Sequence, residues 1–130
     1  MKRYVREPGA ENVRRWLASG TPATSRLSEV EVASALTRRW RERAFGAAER
    51  DRALAALAAD LPALNVVEIV PPVAQAARTL LLRHVLHAGD ALQLASCLYL
   101  REAVGEDVAF AGFDDRLGEA AAKEGLPLLR

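Results

Sequence analysis

Five acidic residues stand where chemistry could be done: Glu29 and Glu31, Asp90, and Asp114 with Asp115. They follow short segments of strand character and lie near the starts of helical patterns. In open parallel sheets, functional groups gather beyond the strands' carboxyl ends, where the following helices begin. Carboxylates gathered at one such edge repel, so their joint ionisation needs a cation. Oxygen-only ligands select Mg²⁺ or Mn²⁺. A metal held this way, with open water positions, suits activation of water against a phosphodiester. Each acid taken singly also has a plainer role. Asp90 after Gly89 is placed as a helix N-cap, Asp114-Asp115 as a helix-starting pair, and Glu29 and Glu31 as first-turn acids favoured by the helix dipole.

Other reactive types are less well placed. His84 and His87 lie three apart, but a metal site usually needs three or more protein ligands, so they read as loop or helix-end residues. Arg38, Arg39, Arg41 and Arg43 could grip RNA phosphate or an acidic partner. With Trp40 between them, a solvated face around one core anchor explains them equally well. Cys97 sits in the apolar run Leu94-Ala95-Ser96-Cys97-Leu98 and reads as a small buried hydrophobe. As the sole cysteine it excludes an internal disulfide and a cysteine-based structural zinc site. No glycine-rich phosphate loop exists, and neither serine nor cysteine has a recognisable base partner for nucleophilic catalysis.

The elements that must hold these residues are legible in outline. At 130 residues, with 51% hydrophobic and 27% charged, the chain fits one domain with a sizeable core. Twenty-six alanines and 19 leucines against a single isoleucine favour helices and disfavour an all-β sandwich or barrel. No stretch is apolar for the roughly 18–20 residues that span a membrane, and the start has no signal-peptide character, so a cytoplasmic protein is expected. Charge is graded along the chain. Residues 1–52 hold 12 basic and seven acidic groups, residues 53–130 six and ten.

Val13, Trp16 and Leu17 fall at helical spacing after Pro8-Gly9, and Ser19-Gly20-Thr21-Pro22 stops that helix. Ala23-Thr24 is a short strand, with Ser25 placed to cap a helix whose stripe is Leu27, Val30, Ser34, Leu36 and Trp40. Gly46 breaks it, and Ala47 to Ala59 form another helix with Leu54, Leu57 and Ala58 inward. Leu64 to Val70 is the best strand, bounded by Pro62 and Pro71-Pro72. Pro72 suits the first turn of a helix running through Leu80-Leu81-Leu82. A long apolar helix opens at Ala88-Gly89-Asp90 and runs to about Glu102. Val108 to Gly112 is a strand, Asp114 to Glu124 a helix, and Leu126 to Leu129 a terminal strand. Strands alternating with helices argue for a parallel α/β sheet layered by helices.

Four segments resemble, in order, the motifs of PIN-domain ribonucleases of the VapC toxin type. Lys2 to Gly9 matches the segment after their first motif. Thr24 to Leu36 looks like the second acidic motif, His87 to Ala95 like the third, and Phe110 to Ala121 like the fourth. The resemblance covers essentially the whole chain. It implies a helix-rich three-layer α/β fold with a parallel sheet flanked by helices. It implies a metal-dependent endoribonuclease that leaves a 5′-phosphate and a 3′-hydroxyl, the toxin of a VapBC-type pair. Glu31, Asp90 and Asp114 match the family's acids and would hold Mg²⁺ or Mn²⁺, with Asp115 the alternative to Asp114. Glu29 lies about 200° around the helix from Glu31, so both cannot face one site. The implied partners are RNA, a small antitoxin protein that lies over the cleft, and further copies in a homodimer or larger toxin–antitoxin assembly.

Two departures follow from the same resemblance. Family members begin with an apolar strand ending in an Asp, and that strand lies mid-sheet. Residues 1–130 then form a single PIN-like domain that starts about ten residues late, twice a typical strand length, and lacks one carboxylate. A catalytically impaired remnant that binds antitoxin or RNA is the alternative function. Gly112 also stands where a small hydroxyl residue often precedes the fourth motif.

Overall fold

A computed structural model describes residues 22–105, 108–112 and 114–129. The helix expected around Val13, Trp16 and Leu17 and the segment Lys2 to Gly9 lie outside the described residues. The chain falls into two compact units that divide between Val66 and Val67. One or two helices separate successive short strands, the order expected.

The first unit holds β1 (Ala23–Ser25), α1 (Leu27–Arg41), α2 (Ala47–Asp60) and a 3₁₀ turn (Leu61–Ala63); β2 (Asn65–Val67) closes it and leads into the second. β2 pairs with β1, and the Asn65 N–H donates to the Pro22 carbonyl at 3.2 Å. The expected strand from Leu64 to Val70 is therefore shortened to three residues. Its second half lies outside the ladder, because Pro71 and Pro72 already commit the chain to the next helix.

Ser25 is buried within β1 rather than standing as the cap residue, yet its Oγ accepts from the Leu27 N–H at 3.2 Å. The expected cap bond is thus made from one residue earlier. The inward stripe of α1 is rotated from expectation. Val30 is 62% exposed and Ser34 is exposed, whereas Leu36 is fully buried against Ala53, with Val32, Phe45 and Leu54 beside it. On α2 the inward residues are Ala53, Leu54 and Leu57, and Ala58 faces out. Periodicity fixes the width of an apolar stripe but not which flank meets the neighbouring helix.

α1 ends in a closed turn. The Ala44 N–H reaches the Arg39 carbonyl at 2.9 Å and the Arg43 N–H that of Trp40 at 3.0 Å, the paired pattern of a Schellman motif. Arg43 occupies its left-handed position with φ of 61°, which costs a side-chain-bearing residue about 1–2 kcal/mol relative to the right-handed form. The guanidinium of Arg50, from α2, stacks over the Trp40 ring at 4.2 Å, and that of Arg39 lies 5.6 Å from the Phe45 centroid.

The second unit holds α3 (Pro71–Arg83), α4 (Ala88–Val104), β3 (Phe110–Ala111), α5 (Asp115–Lys123) and β4 (Leu128–Leu129). Pro71 opens α3 at a position whose N–H would have no helical partner anyway. Val73, Ala77 and Leu80 form the buried stripe of α3, and Ala91, Leu94 and Ala95 that of α4. With Val67, Phe110, Ala120, Ala121 and Leu126 they make one core, in which alanines allow close helix approach. β3 and β4 pair in parallel, Phe110 opposite Leu128 and Ala111 opposite Leu129. α5 ends in the same hydrogen-bond pattern as α1, here with Gly125 in the left-handed position at φ of 86°.

One residue, Glu124, ties three helix ends together. Glu124 follows α5 and takes Arg83 Nη1 at 2.7 Å and His84 Nε2 at 2.7 Å from the end of α3. Its backbone oxygen accepts from Arg101 of α4 at 3.2 Å. The His84 bond, and then the Arg83 guanidinium, hold the Glu124 carboxyl below its ordinary range against the opposing effect of burial.

Candidate functional site

Glu31, Asp90 and Asp114 each sit in the opening turns of a helix. Glu31 is exposed on the second turn of α1. Glu29 lies in the first turn and pairs locally with Arg26 at 3.4 Å. That pair is a partly exposed i, i+3 contact and contributes little stability. Glu31 belongs to the first unit, and Asp90 and Asp114 to the second. Among the described residues, no three His, Cys, Asp or Glu side chains gather as a metal-holding group.

The plainer capping roles of the two aspartates are real. Asp114 is the N-cap of α5, and its Oδ1 accepts from the Leu117 N–H at 2.8 Å. Asp90 is the third residue of α4, not its cap. His87 takes the cap position, and its N–H donates to Asp90 Oδ2 at 3.4 Å. The helix opens at Ala88 as expected, and because Ala88 and Gly89 both adopt its conformation Asp90 falls at the third position and not at the cap. Asp115, the alternative to Asp114, is exposed at the first position of α5. Each cap takes one carboxylate oxygen and orients the group, so a second oxygen on each aspartate is available to a cation.

Carboxylate oxygen is the donor type that a hard divalent ion takes. Oxygen carboxylates suit Mg²⁺ or Mn²⁺, whereas softer ligands are otherwise engaged. His84 ends α3 and is bonded to Glu124, His87 caps α4, and the two share no ligand role. Burial pushes the Cys97 thiol up to about 11 despite the nearby Arg101, so it is a protonated packing residue. Gly112 also has a local cause. A Cβ there would lie 3.3 Å from Cε1 of Phe110, whose buried ring takes the room a hydroxyl residue would use.

The two roles of Asp114 can be separated by substitution. Asp114→Ala should cost about 0.5–2 kcal/mol through the missing cap, whereas Asn, itself a good cap, should cost almost nothing. Thermal melting of the two variants checks this. Equal losses would show that charge, not the hydrogen bond to Leu117, supports α5.

The cluster at Glu124 and the stacking of Arg50 on Trp40 leave no mark in the sequence. Both join residues that are apart along the chain, and no local pattern signals either. No curated protein sequence matches the chain. The sequence profile of the PIN domain matches residues 4–123, which include the segments carrying all three acids. The helix-rich α/β order of elements agrees with that profile, and the chain belongs to the PIN-domain family.

Proposed function

We propose that this chain is a Mg²⁺- or Mn²⁺-dependent endoribonuclease that acts as the toxin of a VapBC-type pair. Membership of the PIN-domain family carries the reading at its coarser level, a nuclease. The finer assignment is supported by the ordered acidic motifs, with Glu31, Asp90 and Asp114 as the carboxylates that would hold the cation. Asp115 remains the alternative at the fourth motif. A small co-encoded antitoxin and a second copy of the chain are the proposed protein partners.

The chain's own contribution is placement. Backbone N–H groups of His87 and Leu117 each hold one oxygen of Asp90 and Asp114, fixing side chains that would otherwise rotate freely. Fixed carboxylates need no reorganisation as charge develops on the phosphoryl oxygens. When bound, the cation would lower the pKa of a water and offset that charge.

The register of the second motif gives the test. Glu31→Gln should reduce Mn²⁺-dependent cleavage of single-stranded RNA far more than Glu29→Gln, whose carboxylate is paired with Arg26. Isothermal titration of Mn²⁺ into each variant supplies a readout independent of turnover. Equal losses in both variants would move the site by two residues. An absence of both cleavage and Mn²⁺ binding in the parent chain would favour a non-catalytic binding module.

A further inference from the structure

The sequence places six arginines and three carboxylates between residues 38 and 52, the densest positive stretch of the described chain. α1 and α2 gather this stretch around one turn. Arg38 and Arg41 share a face of the last turn of α1, Arg43 follows the helix, and Arg52 lies on the second turn of α2. All four are exposed. Among the described residues, no carboxylate is paired with any of them, while the nearby Asp51 is taken by Arg50 at 2.9 Å. The stacking of Arg50 on Trp40 pins the start of α2 to the end of α1, so the exposed guanidinium groups are carried on a braced support.

Helix-end electrostatics account for part of this. Arg38, Arg39 and Arg41 sit beside the carbonyl end of α1, where cations are favoured. They do not account for Arg43. The closing turns of α1 and α5 have the same hydrogen bonds, and α5 uses Gly125 at the left-handed position. Glycine is the residue that position favours. In α1 it is Arg43, the one non-glycine residue with positive φ among the described residues. A conformational penalty is accepted there, and what it gains is a guanidinium projected from the turn.

The geometry points to the α1–α2 turn as a docking surface for the phosphodiester backbone of single-stranded RNA, gripped by Arg38, Arg41 and Arg43. A row of guanidinium groups without carboxylate partners complements a polyanion whose charges repeat along a flexible strand. The choice of RNA as that polyanion rests on the nuclease reading; the surface itself rests on the charge and on Arg43.

Binding of a fluorescein-labelled 12-nucleotide RNA to the full chain is measured by anisotropy in EDTA, where turnover does not interfere. The parent chain should bind. Replacement of Arg38, Arg41 and Arg43 together by Gln should weaken binding more than tenfold. The slope of log K against log salt should become shallower by about 2, since each phosphate neutralised on a single strand contributes roughly 0.7. Arg43→Gly alone should weaken binding and melt no lower than the parent, since it restores the favoured residue to the turn. A charge-matched control, Arg78, Arg116 and Lys123 to Gln, should bind as the parent does. No RNA binding by the parent, or equal losses in test and control variants, would overturn the proposal. So would tighter binding to a polyglutamate peptide than to RNA. Binding that falls as expected, in a chain that cleaves nothing with Mn²⁺, would sustain the surface while overturning the nuclease reading.

Discussion

Asp90→Asn is expected to lower Mn²⁺-dependent RNA cleavage by about 10²- to 10³-fold, the range found when one preorganised electrostatic group is removed. The substitution is nearly isosteric. The Asn side-chain oxygen can still accept the His87 N–H that Asp90 Oδ2 takes at 3.4 Å, so the start of α4 should survive. What disappears is one negative charge from the proposed ligand set. The parent should also gain melting temperature with added Mn²⁺, because a ligand that binds only the folded state stabilises it by mass action. In Asp90→Asn most of that gain should vanish while the metal-free melting temperature stays within a few degrees of the parent. A variant that keeps both the metal response and the cleavage rate would take Asp90 out of the site. A variant that melts far lower without metal would show that its charge serves the helix instead.

Leu94→Ala should have the largest effect on folding. Leu94 is fully buried at the middle of α4, within the core shared by α3, α4, α5 and β3. Truncating a buried leucine costs about 2–5 kcal/mol, the forfeited transfer energy plus the cavity left behind. A small domain has only about 5–15 kcal/mol in total. The core it belongs to mixes Ala77, Ala91, Ala95 and Ala121, which have no side-chain reach, with larger residues such as Val73, Leu80 and Phe110. The loss should fall within that range and lower the melting temperature by about 10 °C. Leu82→Ala provides the contrast, since Leu82 is 90% exposed on α3 and should change little. Similar losses in both variants would mean that Leu82 is covered in solution.

Features with a local cause are the ones legible in the sequence. Pro71-Pro72 must end a strand and open a helix, and Asp114 must cap one, because each uses only neighbouring backbone groups. The order of elements and the family follow from motifs that are themselves local. Features that depend on distant partners are not legible. The buried face of α1 holds Leu36 and Val32 rather than Val30, since the position of α2 decides which flank is covered. Asp90 has the sequence context of a cap although His87 performs that role, a shift of three residues that the composition of the turn does not mark. For the site, the sequence marks individual acids by their position before helices. Their spacing along the chain encodes no long-range placement.

The knot at Glu124 gives the second unit a specific weakness toward acid. A carboxyl whose folded pKa is depressed contributes stability above its unfolded pKa and loses it as pH falls through the folded value. Here one proton acts on the link between the ends of α3 and α5. Protonated Glu124 can no longer hold Arg83 and His84 as a charged acceptor, and it is also the residue from which the chain turns, through Gly125, toward β4. Acid below the ordinary carboxylate range should loosen the turn into the C-terminal strand as a local event, while the buried stripes of α3 and α4, built from Val73, Ala77, Leu80, Ala91, Leu94 and Ala95, contain no titratable group and still hold.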